Sequence, residues 1–376
     1  MNFEINMINV EDGDSIILQL EKKGRQALIV IDGGYRRFYE KLERRIKLLL
    51  PNYNNKIDLI VCSHYDNDHL EGISLLLDYC HSNDIEIGEI WMHKIENKLA
   101  ELIAAIDTEE KLLQEKKRFK ELSEYKSKVF FNEQVFNKEE NLMIESYQFL
   151  KELLQKIINF GLEKKVKEVV KGDFLDGFEE FKVVSPTTDF YNSYLPTLKK
   201  EKFLGDIQKT SELRMLSESN RPTDSRTIEE MVGDVINPCS RLETSSIANS
   251  VTSTNLVSIV TLLSVDDSRL LFAADAGIES FQDQQLLTSE LKDLDWLQLP
   301  HHGSKNNTSL TMLDHFNPKI VFVSGKNIEN RPSAKVVNCL KEKSRFQEIH
   351  VTNEETDTWY LKIKNDLQTE RIMWAD

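Results

Sequence analysis

The stretch that most constrains this chain is an apolar run, Ile57-Asp58-Leu59-Ile60-Val61-Cys62, that breaks into His64-Tyr65-Asp66-Asn67-Asp68-His69. Branched apolar residues ended by a polar turn predict a buried strand. Two further apolar runs end in a similar way: Arg269 to Ala274 stops on Asp275, and Trp296 to Leu299 leads through Pro300 to His301-His302-Gly303-Ser304. An Asx-rich turn would account for the first cluster alone, since Asp and Asn bond their own backbone. It does not account for three distant strands that each deliver metal-binding side chains from the carboxyl end, where open α/β sheets place their chemistry. Alternation lets His64 and Asp66 point one way, while the adjacent Asp68 and His69 can serve a second ion. One strand end could thus seed a two-metal site.

In this combination the chain resembles metallo-β-lactamase-fold hydrolases, most closely the branch of ComEC-type DNA-uptake proteins and phosphorylcholine esterases. That branch carries His-x-Asp-x-Asp-His where the wider superfamily has His-x-His-x-Asp-His, and here His64, Asp66, Asp68 and His69 fill it. By the resemblance Asp275 is the bridging carboxylate, and His302 within His301 to Ser304 is a ligand. The amino-terminal hallmark fits as well: Ile8-Asn9-Val10-Glu11-Asp12-Gly13-Asp14-Ser15-Ile16 leads to Ala27 through Gly34. The likeness covers residues 1–94 and about 175–376 and implies a four-layer αββα sandwich. It is specific for fold and metal chemistry and poorly specific for substrate.

The family's third motif places a histidine roughly twenty residues before the bridging carboxylate. The matching stretch, Ser253 to Val260, has none; Asn255 is the nearest candidate ligand, an ordinary loop asparagine reads the same way, and His93 is a spatial alternative. Imidazole suits zinc, whereas carboxylate and carbonyl oxygen suit manganese and magnesium. Asp66, with Asn255, makes the site around His64 oxygen-rich, while Asp68, His69, Asp275 and His302 keep two imidazoles in the other. The expected cofactors are therefore two divalent ions, manganese or zinc. Such a pair lowers the pKa of a shared water from near 16 to about 7 and clamps the oxygens of a phosphoryl centre. In this reading Asp68 also orients the nucleophile, His301 faces the substrate oxyanion, and Ser304 and Lys305 hold a phosphate.

Composition bounds the rest. The chain has 376 residues, 40% of them hydrophobic, which is ample for a globular core. The first residues, Met1-Asn2-Phe3-Glu4, lack a basic region and an apolar stretch, and no run of eighteen apolar residues exists, so a cytoplasmic protein is expected. Cys62, Cys80, Cys239 and Cys339 are scattered without a CxxC pair, which fits reduced thiols. A formal charge of −15 argues against indiscriminate binding to duplex DNA without excluding a nuclease, because bound cations invert the local field. Lysines are locally dense at Lys164, Lys165, Lys167 and Lys171, and at Lys199, Lys200 and Lys202; solvated faces are the simpler reading.

Two insertions interrupt the domain expected over 1–376. Across about 95–172 helical periodicity replaces the strand pattern: Leu99, Leu102, Ile103 and Ile106 share a face, as do Tyr147, Leu150, Leu154 and Ile157 before Gly161. Its apolar stripes need the parent domain, a second copy or another protein. A second segment, 189–252, is rich in Ser, Thr and Asn and reads as irregular. Lys319 to Val323, His350 to Thr352 and Trp359 to Ile363 read as the closing strands of the second sheet. The expected function is metal-dependent hydrolysis, first of a phosphodiester in nucleic acid or a nucleotide. The alternatives are a small-molecule phosphoesterase or lactonase, or a weakly active metal-binding subunit of a multi-protein bacterial defence system.

Overall fold

Branched and aromatic residues build two sheets in this α/β chain. The computed structural model describes residues 1–93, 149–199, 239, 242, 251–282, 285–325, 331–353 and 358–373, with side chains for all but 195–199. The first sheet contains β1 (Asn2–Ile8), β2 (Ile16–Lys22), β3 (Arg25–Ile31), β4 (Lys56–Val61), β5 (Glu86–Trp91), β6 (Val166–Lys167), β14 (Thr358–Lys364) and β15 (Thr369–Met373). Their spatial order is β15-β14-β1-β2-β3-β4-β5-β6. The second contains β7 (Phe174–Leu175), β8 (Phe178–Ser185), β9 (Val260–Val265), β10 (Ser268–Phe272), β11 (Trp296–Gln298), β12 (Ile320–Val323) and β13 (Glu348–Val351). Their order is β13-β12-β11-β10-β9-β8-β7.

Side-chain alternation assigns the layers. Ile29 and Ile31 of β3 join Phe181, Phe272, Trp296 and Phe322 in a core between the sheets. Leu28 and Val30, one residue out of phase, pack outward against Leu42 and Ile46 of α1 (Tyr39–Leu49) and Ile73 and Leu77 of α2 (Asn67–Ser82). Leu271 and Val321 face outward to Phe316 and Leu340, on the helices Leu310–Phe316 and Ala334–Lys341. The architecture is thus an α/β sandwich, as expected at that level. Strands β3, β4 and β5 run parallel, as do β10 to β13, so each set gathers its carboxyl ends at one edge.

Several expectations are corrected. Trp359 to Ile363 does not close the second sheet; β14 pairs antiparallel with β1, Ile363 opposite Ile5, in the first. Alternation marks a strand but does not say which edge it joins. The α-helix stops before Gly161, as the periodicity predicts, and does not fill the stretch to 172: residues 149–159 are helical, with Leu150, Leu154 and Ile157 buried against the first sheet's outer layer. The chain then turns at Gly161 (φ +70°) and adds β6 beside β5, so this helix packs on the parent domain. Leu99, Leu102, Ile103, Ile106 and Tyr147 lie outside the described residues. The segment read as irregular from 189 begins as a helix, Thr188–Lys199, in which Tyr191 is buried against the His93 ring at 4.6 Å. Its remainder is outside the described residues apart from 239, 242, 251 and 252. Cys239 and Cys339 are not separate thiols but a disulfide across 100 residues, with Cα atoms 4.7 Å apart. Such a pair leaves no spacing signature; Cys62 and Cys80 are free and buried. Among the described residues no helix is long and apolar enough to cross a membrane.

Candidate metal centre

All three ligand-bearing strand ends meet at the edge where the parallel strands finish. After β4 the chain delivers Ser63 and His64, then enters α2 with Asp66 as its N-cap residue and Asp68 and His69 in the first turn. After β10 it delivers Asp275. After β11, His301 (φ +49°) and His302 (φ +56°) take left-handed conformations, and this abrupt turn sets both rings toward Asp275. The loop after β3 closes the arrangement because Gly33 and Gly72 touch: a Cβ on Gly72 would lie 1.9 Å from the Gly33 carbonyl oxygen. That contact lets the Gly33 amide donate to the His69 carbonyl at 2.7 Å and brings Asp32 behind the His69 ring.

Asp275, 1% exposed, is the hub. Its Oδ1 lies 3.3 Å from His69 Nε2 and 3.8 Å from His302 Nε2. Its Oδ2 lies 3.4 Å from His301 Nε2 and 3.8 Å from His64 Nε2. Asp68 Oδ2 is 3.5 Å from His302 Nε2, and Asp66 Oδ2 is 3.7 Å from His64 Nε2.

Hydrogen bonds on the far side of each ring fix which nitrogen carries the proton. His69 Nδ1 donates to Asp32 Oδ2 at 2.8 Å, and His302 Nδ1 donates to the Ser324 carbonyl at 2.9 Å. Ser63 Oγ spends its hydrogen on Asp32 at 2.6 Å, so it accepts from His64 Nδ1 at 3.0 Å. Asn307 donates its amide to the Asp275 and Ala276 carbonyls, so its Oδ1 accepts from His301 Nδ1 at 2.9 Å. In their neutral form all four imidazoles therefore turn an Nε2 lone pair toward one carboxylate. Buried Nε2 of His64, His69 and His302, with Asp275 Oδ1, make no hydrogen bond. Lone pairs crowded around an anion repel unless a cation lies among them, and these residues could hold a divalent metal ion. Ligand atoms of His64, His69 and Asp275 fall within 4.8 Å of one another, as do those of Asp68, His69 and His302.

Protonation follows the same field. Burial alone would raise the Asp275 carboxyl, but His301, His69 and His302 hold it well below the usual range. Burial likewise opposes ionisation of Asp68, yet His69 and His302 draw it down to about 2. Burial lowers His302, but Asp275 and Asp68 outweigh it and raise the ring to about 9; His69 is also raised, chiefly by Asp275 against burial. His64 is raised by Asp66 and Asp275 although burial and His69 oppose it. His301 goes the other way, to about 4, because burial dominates and Arg331 and His302 reinforce it against Asp275.

The Asn255 oxygen, His93 and Ser304 make hydrogen bonds to groups other than these ligand atoms. Asn255 reaches Asp275 as a donor, Nδ2 to Oδ2 at 3.4 Å, while its Oδ1 accepts from Thr252 at 2.7 Å and Thr254 at 3.3 Å. Its oxygen is thus committed away from the centre. His93 donates Nε2–H to the Val257 carbonyl at 2.6 Å, the opposite tautomer from the four ligand-like rings, and burial takes it down to about 4. Ser304 Oγ accepts from the Asn306 amide at 3.2 Å, and Lys305 is exposed. Lys165 borders a cavity of about 290 Å³ with His81, Asp84 and Glu86, beside the carboxyl end of α2 and away from the centre at its amino end.

Sequence reasoning missed the residues behind the rings: Asp32, Ser63, Asn307, Ser324, and Asp14, which accepts from Gln298 at 2.6 Å. Asp32 follows β3 as Asp275 follows β10, and that shared position was the available signal. Of the expected residues, Asp66 (42%), His301 (22%) and Asp68 (19%) are the exposed members. Missed beside them were Tyr35, Arg37 and Arg331. Tyr35 sits near Asp68, whose charge, after burial, pushes the phenol up, and the Arg37 guanidinium lies 4.5 Å over the Tyr35 ring. Arg331 stands by His301, placed there by the Ser333 amide donating to the Gly303 carbonyl at 2.9 Å. No protein-family model and no curated protein matches the sequence.

Proposed function

We propose that the chain is a metallo-β-lactamase-fold hydrolase of the ComEC-like branch, an αββα sandwich that uses two divalent cations to cleave phosphodiesters in nucleic acid or nucleotides. The observation that carries the reading is the ring of four Nε2 lone pairs around Asp275. Its two oxygens face different partners, which supports a bridging role between a group at His64 and Asp66 and a group at Asp68, His69 and His302. Manganese or zinc fits these mixed nitrogen and oxygen donors. When bound, such ions supply Lewis acidity, which activates water near neutral pH and stabilises charge developing on a phosphoryl oxygen.

The chain's own residues do the rest. Asp32, directly on His69 and through Ser63 on His64, keeps both rings in the tautomer that ligation requires. Asp68, held ionised against burial by His69 and His302 and partly open to solvent, is placed to accept a hydrogen bond from a water and so orient it. Arg37, ion-paired with Glu11 at 3.3 Å, and Arg331 beside His301 place guanidinium groups at a mouth that also carries the Asp66 and Asp68 carboxylates, so an anionic substrate would rely on bound cations as well as on these arginines.

The test is metal reconstitution of chelator-treated protein followed by a substrate panel. Manganese- or zinc-dependent cleavage of single-stranded or duplex DNA, or of a chromogenic phosphodiester, is the expected result. Turnover of lactones or phosphomonoesters alone would move the chain to the small-molecule class. Protein that takes up neither metal would refute the reading.

A further inference from the structure

The first cation group lacks a ligand. Its expected third-motif histidine is absent, Asn255 points its oxygen at Thr252 and Thr254, and His93 donates Nε2–H to the Val257 carbonyl. Without replacement, His64, Asp66 and one oxygen of Asp275 have only His69 within reach, and that ring also belongs to the other group. The other group, by contrast, has Asp68, His69, His302 and the second Asp275 oxygen.

Partition of the Asp275 oxygens identifies the replacement. Oδ1 takes His69 and His302; Oδ2 takes His64 at 3.8 Å and His301 at 3.4 Å. His301 therefore falls on the His64 side of the bridge, not on that of its neighbour His302. Both residues are left-handed, so the chain turns sharply between them, and the ring planes differ by 67°. Nor is the His301 ring free to choose its tautomer. Asn307 Nδ2 is held by the Asp275 and Ala276 carbonyls at 3.0 and 3.3 Å, which leaves Oδ1 to accept from Nδ1. Nε2 consequently faces Asp275 Oδ2 with a lone pair, acceptor against acceptor, at a distance where only a cation or a proton makes the contact favourable.

We infer that His301 is a ligand of the first cation, replacing the absent third-motif histidine, and that Asn307 is the positioning residue that fixes its tautomer. The inference rests on the metal-centre reading above and departs from the substrate-facing role that the sequence suggests for His301. Coordination forms one Nε2-to-metal bond and displaces no proton from Nε2, because that hydrogen is already on Nδ1.

The experiment counts metal. Chelator-stripped full-length chain is titrated calorimetrically with manganese and, separately, zinc, and the metal content of the desalted product is measured. Wild type is expected to take two equivalents; His301→Asn and His301→Ala are expected to retain one, with its affinity unchanged. Asn is the gentler choice because it tolerates the left-handed backbone at this position. If either folded variant keeps two equivalents, the inference is overturned, and loss of turnover with full metal content would restore the substrate-facing role. A wild type that takes fewer than two overturns the two-cation reading together with this inference. Histidine-selective ¹⁵N NMR of wild type during zinc loading needs no variant: Nε2 of His301 is expected to shift with that of His64, and an unmoved resonance would refute ligation.

Discussion

Replacing Asp32 by Asn tests whether the hydrogen bonds behind the rings tune the metal centre. The side chain is fully buried and sits at φ +57°, a conformation that Asn adopts as readily as Asp, so backbone and shape should persist. What changes is acceptor count. The carboxylate takes the Ser63 amide on Oδ1 at 2.8 Å, and Ser63 Oγ and His69 Nδ1 on Oδ2 at 2.6 and 2.8 Å. An amide has one oxygen. If it stays toward Ser63 Oγ and His69, the NH₂ meets the Ser63 amide donor to donor. If the amide turns over, His69 Nδ1 must accept, its proton moves to Nε2, and a ligand is lost. The first orientation leaves a buried donor unpaired at a cost of roughly 1–3 kcal/mol; the second keeps its hydrogen bonds and gives up the ligating tautomer. Loss of such an outer partner weakens metal binding by roughly 10- to 100-fold, equivalent to about 1.4–2.7 kcal/mol. Calorimetric titration with manganese or zinc reads the dissociation constant, and circular dichroism checks the fold. A variant that folds and binds metal as tightly as wild type would show that Asp32 does not control the His69 tautomer.

How much of this was legible in the sequence depends on what each residue's signal encodes. His64, Asp66, Asp68, His69, Asp275, His301 and His302 follow apolar runs directly, and the structure brings all seven to one edge because parallel strands share a direction. Position in the chain therefore predicts position in space for them. The partners behind the rings carry no such mark. Ser324 contributes a backbone carbonyl, which any residue would supply, and Asn307 looks like one more polar residue in a Ser/Asn/Thr turn. Direction within the centre was equally hidden: which Asp275 oxygen faces His301 follows from two left-handed residues in succession, a conformation uncommon outside glycine. The misplacement of β14 and the missed Cys239–Cys339 bond share a cause, since both are pairings between distant segments and sequence patterns report only local ones.

Three further outcomes are expected. Asp275→Asn should abolish metal-dependent hydrolysis while the strands stay intact, since an amide cannot bridge two cations as a carboxylate does; unchanged turnover would remove Asp275 from the hub. Gly72→Ala should lower Tm, because its methyl would lie 1.9 Å from the Gly33 oxygen; overpacking of this kind typically costs roughly 1–3 kcal/mol, and an unaltered Tm would contradict the contact. The last concerns pH and the chelator-stripped protein. His302 is raised to about 9 by Asp275 and Asp68 against burial, from about 6.5 in the unfolded chain. A histidine whose folded pKa exceeds its unfolded one contributes stability that is fully present below about pH 6.5 and is lost as pH rises through about 9. The difference of roughly 2.5 units corresponds to about 3 kcal/mol, and His69 is shifted in the same direction. Urea melts should therefore show the stripped protein weakening from mildly acidic to alkaline pH. With manganese or zinc bound, the metal replaces the proton on Nε2 and this slope should disappear. A stripped protein as stable at alkaline as at mildly acidic pH, or a loaded one with the same slope, would mean that these imidazoles do not exchange a proton for a metal ion.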